Sequence, residues 1–195
     1  GKMGVALALA CARRGADVTM VCGAISATLR NPFGAIHRID ALSAQAMHEA
    51  CIAQWPHMNS AILCAAVADF TPCEKAENKI KKDSGFRIQD SGLFLPLKET
   101  ADIAKALGQS KRPDQKLIGF ALETQHEKEN ALHKMERKNL DAIVLNSLRD
   151  KGAGFGVDTN RVTVLRADGN SLELPLLSKE EVANQIIRYS ILLEE

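Results

Sequence analysis

Short apolar runs alternate with amphipathic stretches along this chain, and that alternation predicts its elements. Residues 3–14 carry small apolar side chains in a helical pattern, and Gly15 is placed to end it. Residues 17–22 form a β-branched run expected as a buried strand, and 36–39 form a weaker one. Ser43 can cap a helix reaching about residue 55, with Ala46, Met47, Ala50 and Cys51 on one face. Residues 61–66 read as the next buried strand. Thr100 can cap a helix to residue 107, followed by a strand over 116–122, a polar-faced helix over 126–139 and a buried strand over 141–146. A glycine-rich loop spans 150–160. Segments 161–166 and 172–176 then flank Asp168-Gly169-Asn170, a hairpin turn, and Ser178 opens a last helix to about residue 193. Between 78 and 97 the texture changes. Residues 86–89 alternate, Ser91-Gly92 turns the chain, and apolar residues follow, which predicts a projecting hairpin.

The expected fold class is therefore α/β and Rossmann-like. A mostly parallel sheet carries helices on both faces, with a projecting β-ribbon and a C-terminal antiparallel hairpin. No repeat or linker divides residues 1–195, so one domain is expected. Ligands of open α/β sheets bind outside the C-terminal strand ends. That rule singles out residues 65–69, 120–123 and Asn146.

Composition narrows the function classes. Hydrophobic residues make up 46% and charged residues 25%, as in a soluble globular domain. A net charge of +1 gives no global pull toward nucleic acid or acidic membranes, so an anion site must be built from local lysines. No run approaches the ~20 apolar residues of a membrane span, and there is no signal peptide. A cytoplasmic protein with no nucleic-acid or membrane partner is expected. The five cysteines form no CxxC pair and read as reduced core thiols, and the scattered histidines give no zinc pattern. Gly1-Lys2-Met3-Gly4 runs straight into a helical pattern. It reads as the inside of a motif, with an N-terminal strand and a substrate loop expected before Gly1.

Several groups could carry chemistry. Gly1 and Gly4 open the first helix, either to admit an anion to its N–H groups or to allow close helix–sheet contact. Asp69 follows a strand at its ligand end. There it could hold a ribose, a base amino group or a metal, or simply form a turn. Lys79, Lys81 and Lys82 suit a solvated sheet edge, or a cationic arm over a site that handles a polyanion. Ala101, Asp102, Ile103 and Ala104 open a helix and form either an ordinary cap or a second anion cradle. Phe120 is core by default, yet its place near a strand end would let it stack on a base. Lys134 and Lys138 share a helix face at i and i+4, paired with nearby glutamates or aimed at a triphosphate.

The segments GKMGVALALACARRGADVTMVCG, CAAVADF, NKIKK, TADIA, LIGFALET, RKNLDAIVLNSL and GAGFGVDTNRVTVL occur in the order and at the rough spacing of one family. Over nearly its whole length the chain resembles phosphopantothenate–cysteine ligase, the phosphopantothenoylcysteine synthetase of coenzyme A biosynthesis, in its bacterial CTP-dependent form. The resemblance implies CTP as co-substrate with Mg²⁺, and 4′-phosphopantothenate and cysteine as substrates. It implies an acyl-cytidylate intermediate, a homodimer, and a possible fused or associated phosphopantothenoylcysteine decarboxylase. The family's CTP contacts fall on Asp69, Lys79, Ala101, Asp102, Ile103, Ala104, Phe120, Lys134 and Lys138, and Lys79 also matches the lysine tied to the chemistry. Gly1, Gly4, Ala65, Ala66 and Asn146 are the candidates for phosphopantothenate, and no metal ligand is assigned. The family's Ser-Ser-Gly run and the asparagine before it would precede Gly1, and Ala101 stands where some relatives have proline.

Two other readings stay open. A nicotinamide-dependent reductase of the short-chain type needs a Tyr with a Lys four residues on, whereas Tyr189 is followed there by Leu193. A non-catalytic nucleotide-binding module needs no such pair. A flavin-binding decarboxylase lacks a histidine-bearing flavoprotein motif.

Overall fold

The computed structural model describes residues 1–29, 34–74, 88–89, 92–93, 95–123, 127–147 and 157–193. The chain opens with α1 (Lys2–Ala12), which Gly15 closes with a φ of +83°. Two parallel strands follow, β1 (Val18–Cys22) and β2 (Ile36–Asp40). Helix α2 (Ala44–Gln54) is capped by Ser43, whose hydroxyl accepts from the Ala46 N–H at 3.1 Å, as its sequence predicts. Next come β3 (Ser60–Leu63), β4 (Phe70–Pro72), the two-residue strands β5 (Ile88–Gln89) and β6 (Gly92–Leu93), and β7 (Leu97–Glu99). Helix α3 (Ile103–Gln109), β8 (Lys116–Glu123), α4 (Glu127–Arg137) and β9 (Ala142–Ser147) complete the parallel part. Finally β10 (Thr159–Asn160), β11 (Val162–Arg166), β12 (Ser171–Glu173) and β13 (Leu177–Ser178) lead into α5 (Lys179–Ile187) and a π-helical turn at Arg188–Leu192.

The central sheet runs β12-β11-β9-β8-β3. β3, β8 and β9 are mutually parallel, and β11–β12 is the expected antiparallel C-terminal hairpin. The β1–β2 pair makes no strand pairing with this sheet among the described residues, and the mostly parallel central sheet is as predicted. The ribbon is present where it is described: β5 pairs with β6, and β4 pairs with β7 to form its base.

Helices cover both faces, sorted by strand alternation. On one face Leu117, Ala121, Ile143 and Leu145 pack with Met47 of α2, Leu107 of α3 and Met135 of α4. On the other, Ile118, Ala142, Val144 and Val164 pack with Leu7 of α1 and Val182 and Ile186 of α5. The thiols are only partly core as expected. Cys22 is buried, Cys11, Cys51 and Cys64 are half-buried, and Cys73 is exposed beside the ribbon's base.

One contact fixes α3 against α4. A Cβ on Gly108 would sit 1.9 Å from the Lys138 carbonyl oxygen, so the two backbones touch. Asn139 follows in the left-handed region at φ 51°, and its Nδ2 donates to the Gly108 carbonyl at 2.9 Å. Gly108→Ala should therefore cost about 2–3 kcal/mol, the scale of core overpacking. At Gly23 an added Cβ meets its nearest atom, Ala41 O, at 3.6 Å, so Gly23→Ala should be nearly neutral. Denaturant unfolding of both variants checks this. Equal midpoints would remove the special role of Gly108.

Candidate functional site

The site is assembled where the chain leaves β3. That strand ends at Leu63 rather than at residue 66 as predicted, so residues 64–69 cross the C-terminal edge of the sheet as irregular chain. The Thr100 hydroxyl donates to the Ala68 carbonyl at 2.6 Å, and the Thr100 N–H donates to the Asp69 carbonyl at 2.9 Å. Asp69 is thereby tied to the entrance of α3. Thr100 is engaged here and is not the helix cap. Asp102 is the cap, and its carboxylate accepts from the Lys105 N–H at 3.0 Å. An aspartate outranks a threonine in that position. The cap also occupies one of the N–H groups of the expected anion cradle.

Lys138 lies against Gly108 by its backbone, while its side chain runs back along α3. Its Nζ stands 3.0 Å from Asp102 Oδ2. Burial pushes the Asp102 carboxyl up, but the Lys105 N–H and the Lys138 amine outweigh it and hold the group below its ordinary range. Lys134, one turn earlier, is exposed. Asp69, Ala101, Asp102, Ile103, Ala104 and Lys138 are thus gathered on the α3–α4 side of the edge.

Gly1, Gly4, Phe120 and Asn146 occupy the opposite side. Gly1 is the N-cap of α1 and packs on Ile25, where an added Cβ would stand 2.6 Å away. A Cβ on Gly4 would stand 3.3 Å from Cys64 Sγ, so the close helix–sheet contact is real. Burial pushes the Cys64 thiol up. Phe120 packs with the α1–α5 core, away from Lys138. Asn146 lies in register with Leu122, with its Oδ1 2.9 Å from Asn160 Nδ2. Ala65 and Ala66 are exposed between the two sides. Lys79, Lys81 and Lys82 lie outside the described residues.

Two residues escape the sequence reading. Asn160, 3% exposed, reads there only as the end of a loop. Lys179, 9% exposed, lies in the helix predicted from Ser178, with no role read for it. Its Nζ donates to the Val157 and Thr159 carbonyls at 2.6 and 3.0 Å. Burial, with Lys2 beside it, holds that amine below the ordinary lysine range. The polar character of both residues gives no sign of burial. Tyr189 lies with its ring under Arg166, 5.1 Å from the guanidinium carbon, and Leu193 follows in the left-handed region. The described cavities fall elsewhere. One of about 310 Å³ is lined by Lys2, Arg13, Asp158 and Lys179, and one of about 630 Å³ by Ile25, Arg38 and Asp40.

This is an α/β domain of the type that binds ligands at the C-terminal edge of a parallel sheet, with a cation-bearing side and a glycine-opened side. Residues 1–192 match the DNA/pantothenate metabolism flavoprotein C-terminal domain, and the chain belongs to that family. It is 44% identical over 188 residues to the coenzyme A biosynthesis bifunctional protein CoaBC of Bacillus subtilis, covering 96% of this chain and 44% of that protein. It is 48% identical over 188 residues to a cysteine/cysteine sulfinic acid decarboxylase of an unknown prokaryotic organism, covering 96% and 50%. The chain therefore spans about half the length of these relatives. The crystal structure of the C-terminal domain of a CoaBC superposes with a TM-score of 0.78 at 36% identity, over 99% of this chain and 84% of that one. A Cab2 mutant in complex with phosphopantothenate-cysteine shares the fold, with a TM-score of 0.71 at 14% identity over 99% and 77%. The expected resemblance to a phosphopantothenate–cysteine ligase-type domain is borne out. No helix among the described residues is long and apolar enough to cross a membrane.

The depressed Asp102 pKa fixes a sign. Its stabilisation is present above the ordinary carboxylate range and is lost as pH falls through the folded value. Asp102→Asn keeps a good cap and removes only the charge. The variant should be less stable than the parent at pH 7 and equal to it near pH 2. Urea unfolding at both pH values checks this, and a difference that does not vary with pH would contradict it.

Proposed function

We propose that this chain is the ligase domain that joins 4′-phosphopantothenate to L-cysteine in coenzyme A biosynthesis, with CTP as co-substrate. The observation that carries the reading is the convergence of Asp69, residues 101–104 and Lys138 at one strand-end edge. It occurs in a fold 36% identical in sequence to the C-terminal domain of a CoaBC.

The chemistry needs two substitutions. A carboxylate oxygen of phosphopantothenate attacks the α-phosphorus of CTP, a P–O bond forms, and pyrophosphate leaves. The neutral amine of cysteine then attacks the acyl carbon, a C–N bond forms, CMP leaves, and the amine gives up a proton. The first step brings anions together, so cations must offset their repulsion and the developing charge. Lys138 and Lys134 are the cations for the triphosphate, and Lys79 is the one proposed for the reacting phosphoryl group. Asp69 and residues 101–104 hold the nucleotide. Phe120 offers its ring to the base across the opening left by the small side chains of Ala65 and Ala66. Phosphopantothenate would lie toward Gly1, Gly4, Ala65, Ala66 and Asn146.

The donor set fits Mg²⁺ carried in on phosphates. No group of three or more His, Cys, Asp or Glu side chains able to hold a metal occurs among the described residues, and Asp69 is a single exposed carboxylate. Magnesium sites of this kind take one or two carboxylates plus substrate oxygens. The ion would supply charge neutralisation on the transferring phosphate.

Further proposals concern assembly. The half-length match to CoaBC supports a fused or associated phosphopantothenoylcysteine decarboxylase. Phe70, Leu95 and Leu97 are about half exposed at the ribbon's base, which supports a homodimer built there. Light scattering at micromolar concentration should give a dimer mass, and a monomer would count against it.

Two measurements test the reading itself. The full-length protein given CTP, phosphopantothenate and cysteine should release pyrophosphate. No release overturns the ligase assignment, and a preference for ATP overturns the choice of nucleotide. Lys138→Gln should weaken CTP binding about 10-fold or more by titration calorimetry, since a charge-assisted contact is worth roughly 1.5–3 kcal/mol. Lys79→Gln should lower kcat at least ~10²-fold, the scale of a lost preorganised electrostatic contact. Lys82→Gln should stay within a few fold. Equal behaviour of the two lysine variants would deny Lys79 a privileged role.

A further inference from the structure

We propose that Asn160 is a positioning residue that locks the Asn146 side chain so that its NH₂ group, not its oxygen, serves the strand-end site. Asn146 then acts as a donor for an acceptor-only group such as a phosphate, carboxylate or acyl oxygen. The identity of that group rests on the ligase reading, whereas the locking does not.

The argument follows the hydrogen bonds. Asn160 is almost fully buried, and the backbone N–H of Arg161 donates to its Oδ1 at 3.1 Å. Only oxygen can accept from that N–H, so the opposite end of the Asn160 amide is Nδ2. That Nδ2 lies 2.9 Å from Asn146, and two NH₂ groups cannot bond one another, so Asn146 must present its oxygen there. The Nδ2 of Asn146 is therefore turned away from Asn160, and it makes no hydrogen bond among the described residues. Asn146 is half-buried, beside exposed Leu122, at the end of β9. It shares the sheet face on which Phe120 packs. One backbone amide thus sets the polarity of two side chains.

Asn160 is held firmly enough to impose this. β10 pairs Thr159 with Ser178 and Asn160 with Leu177. Lys179 spans the adjacent carbonyls of Val157 and Thr159, its own N–H donates to the Asp158 carbonyl at 2.9 Å, and Lys2 bridges to the Asp158 carboxylate at 2.7 Å. A buried amine locked onto two carbonyls is costly to move.

Asn160→Asp inverts the relay. The introduced side chain, when ionised, only accepts: one oxygen takes the Arg161 N–H and the other takes Asn146 Nδ2, so Asn146 must flip and turn its oxygen to the site. When protonated, the new carboxyl group donates again and restores the native orientation. Burial raises the pKa of such a group. Lys179 from α5, Lys2 from α1, and the neighbouring Asp158 and Arg161 are the same in parent and variant.

Side-chain amide exchange, followed by NMR on ¹⁵N-labelled protein without ligand, reads the orientation directly. In the parent, Asn160 NH₂ should be protected and Asn146 NH₂ should exchange freely. In Asn160→Asp at pH 7.5, Asn146 NH₂ should become protected. Protection of Asn146 NH₂ in the parent overturns the proposal whatever the enzyme does. In pyrophosphate release, the variant should be about 10-fold below the parent at pH 8, mainly in KM, and the ratio should close toward pH 5.5. A deficit that does not vary with pH overturns the orienting role. If the parent releases no pyrophosphate from CTP, the ligase reading fails, and the exchange result alone decides the relay.

Discussion

The contact between the backbones of α3 and α4 decides where the Lys138 amine points. With no side chain at Gly108, the Lys138 carbonyl comes within what would be 1.9 Å of a Cβ, and the start of the lysine side chain is fixed at the C-terminal end of α3. From there its four-carbon stem reaches the helix N-cap, where Asp102 meets it at 3.0 Å. The same junction is held from behind, because the Lys111 amine donates to the Asn139 carbonyl at 2.7 Å and to Asp141 Oδ2 at 2.9 Å. Asp141 also accepts from the Leu117 N–H at 2.8 Å, so the junction is joined to the first residues of the central strands.

Paired with Asp102, Lys138 is not a bare charge. The pair is nearly neutral at the mouth of α3. Asp102 and Lys138 are respectively 38% and 24% exposed in their side chains, so water screens the pair and its net contribution to stability is small. An exchange of partners there costs little. The Lys179 amine is the opposite case. It is buried and bonded to two carbonyls, a fixture of the fold and not a mobile cation.

Sequence and structure agree where period and capping decide, and part company where tertiary contacts do. β8, β9 and the Ser43 and Ser178 caps are legible, because strand alternation and N-cap chemistry are local. β4 is not, since Phe70-Thr71-Pro72 has no strand pattern of its own and exists by pairing with β7. Thr100 reads as a cap, yet its hydroxyl is satisfied by Ala68, a partner 32 residues away. For the site, residue types along the chain locate the edge but not its two sides. Alternation in β8 sends Phe120 to the α1–α5 face, while the backbone contact at Gly108 places Lys138 on the other.

That separation constrains any reaction at the edge. On the proposed reading, a nucleotide held by Lys138 and a second substrate beside Gly4 and Asn146 would meet over residues 64–69. The chain there suits the passage. Ala65 and Ala66 are exposed and small, and Gly4 lets the first helix close on the segment without a side chain between. Cys64 sits at the same crossing. Burial pushes the Cys64 thiol up. The close contact between Gly4 and the Cys64 sulfur packs the first helix onto the sheet at that crossing.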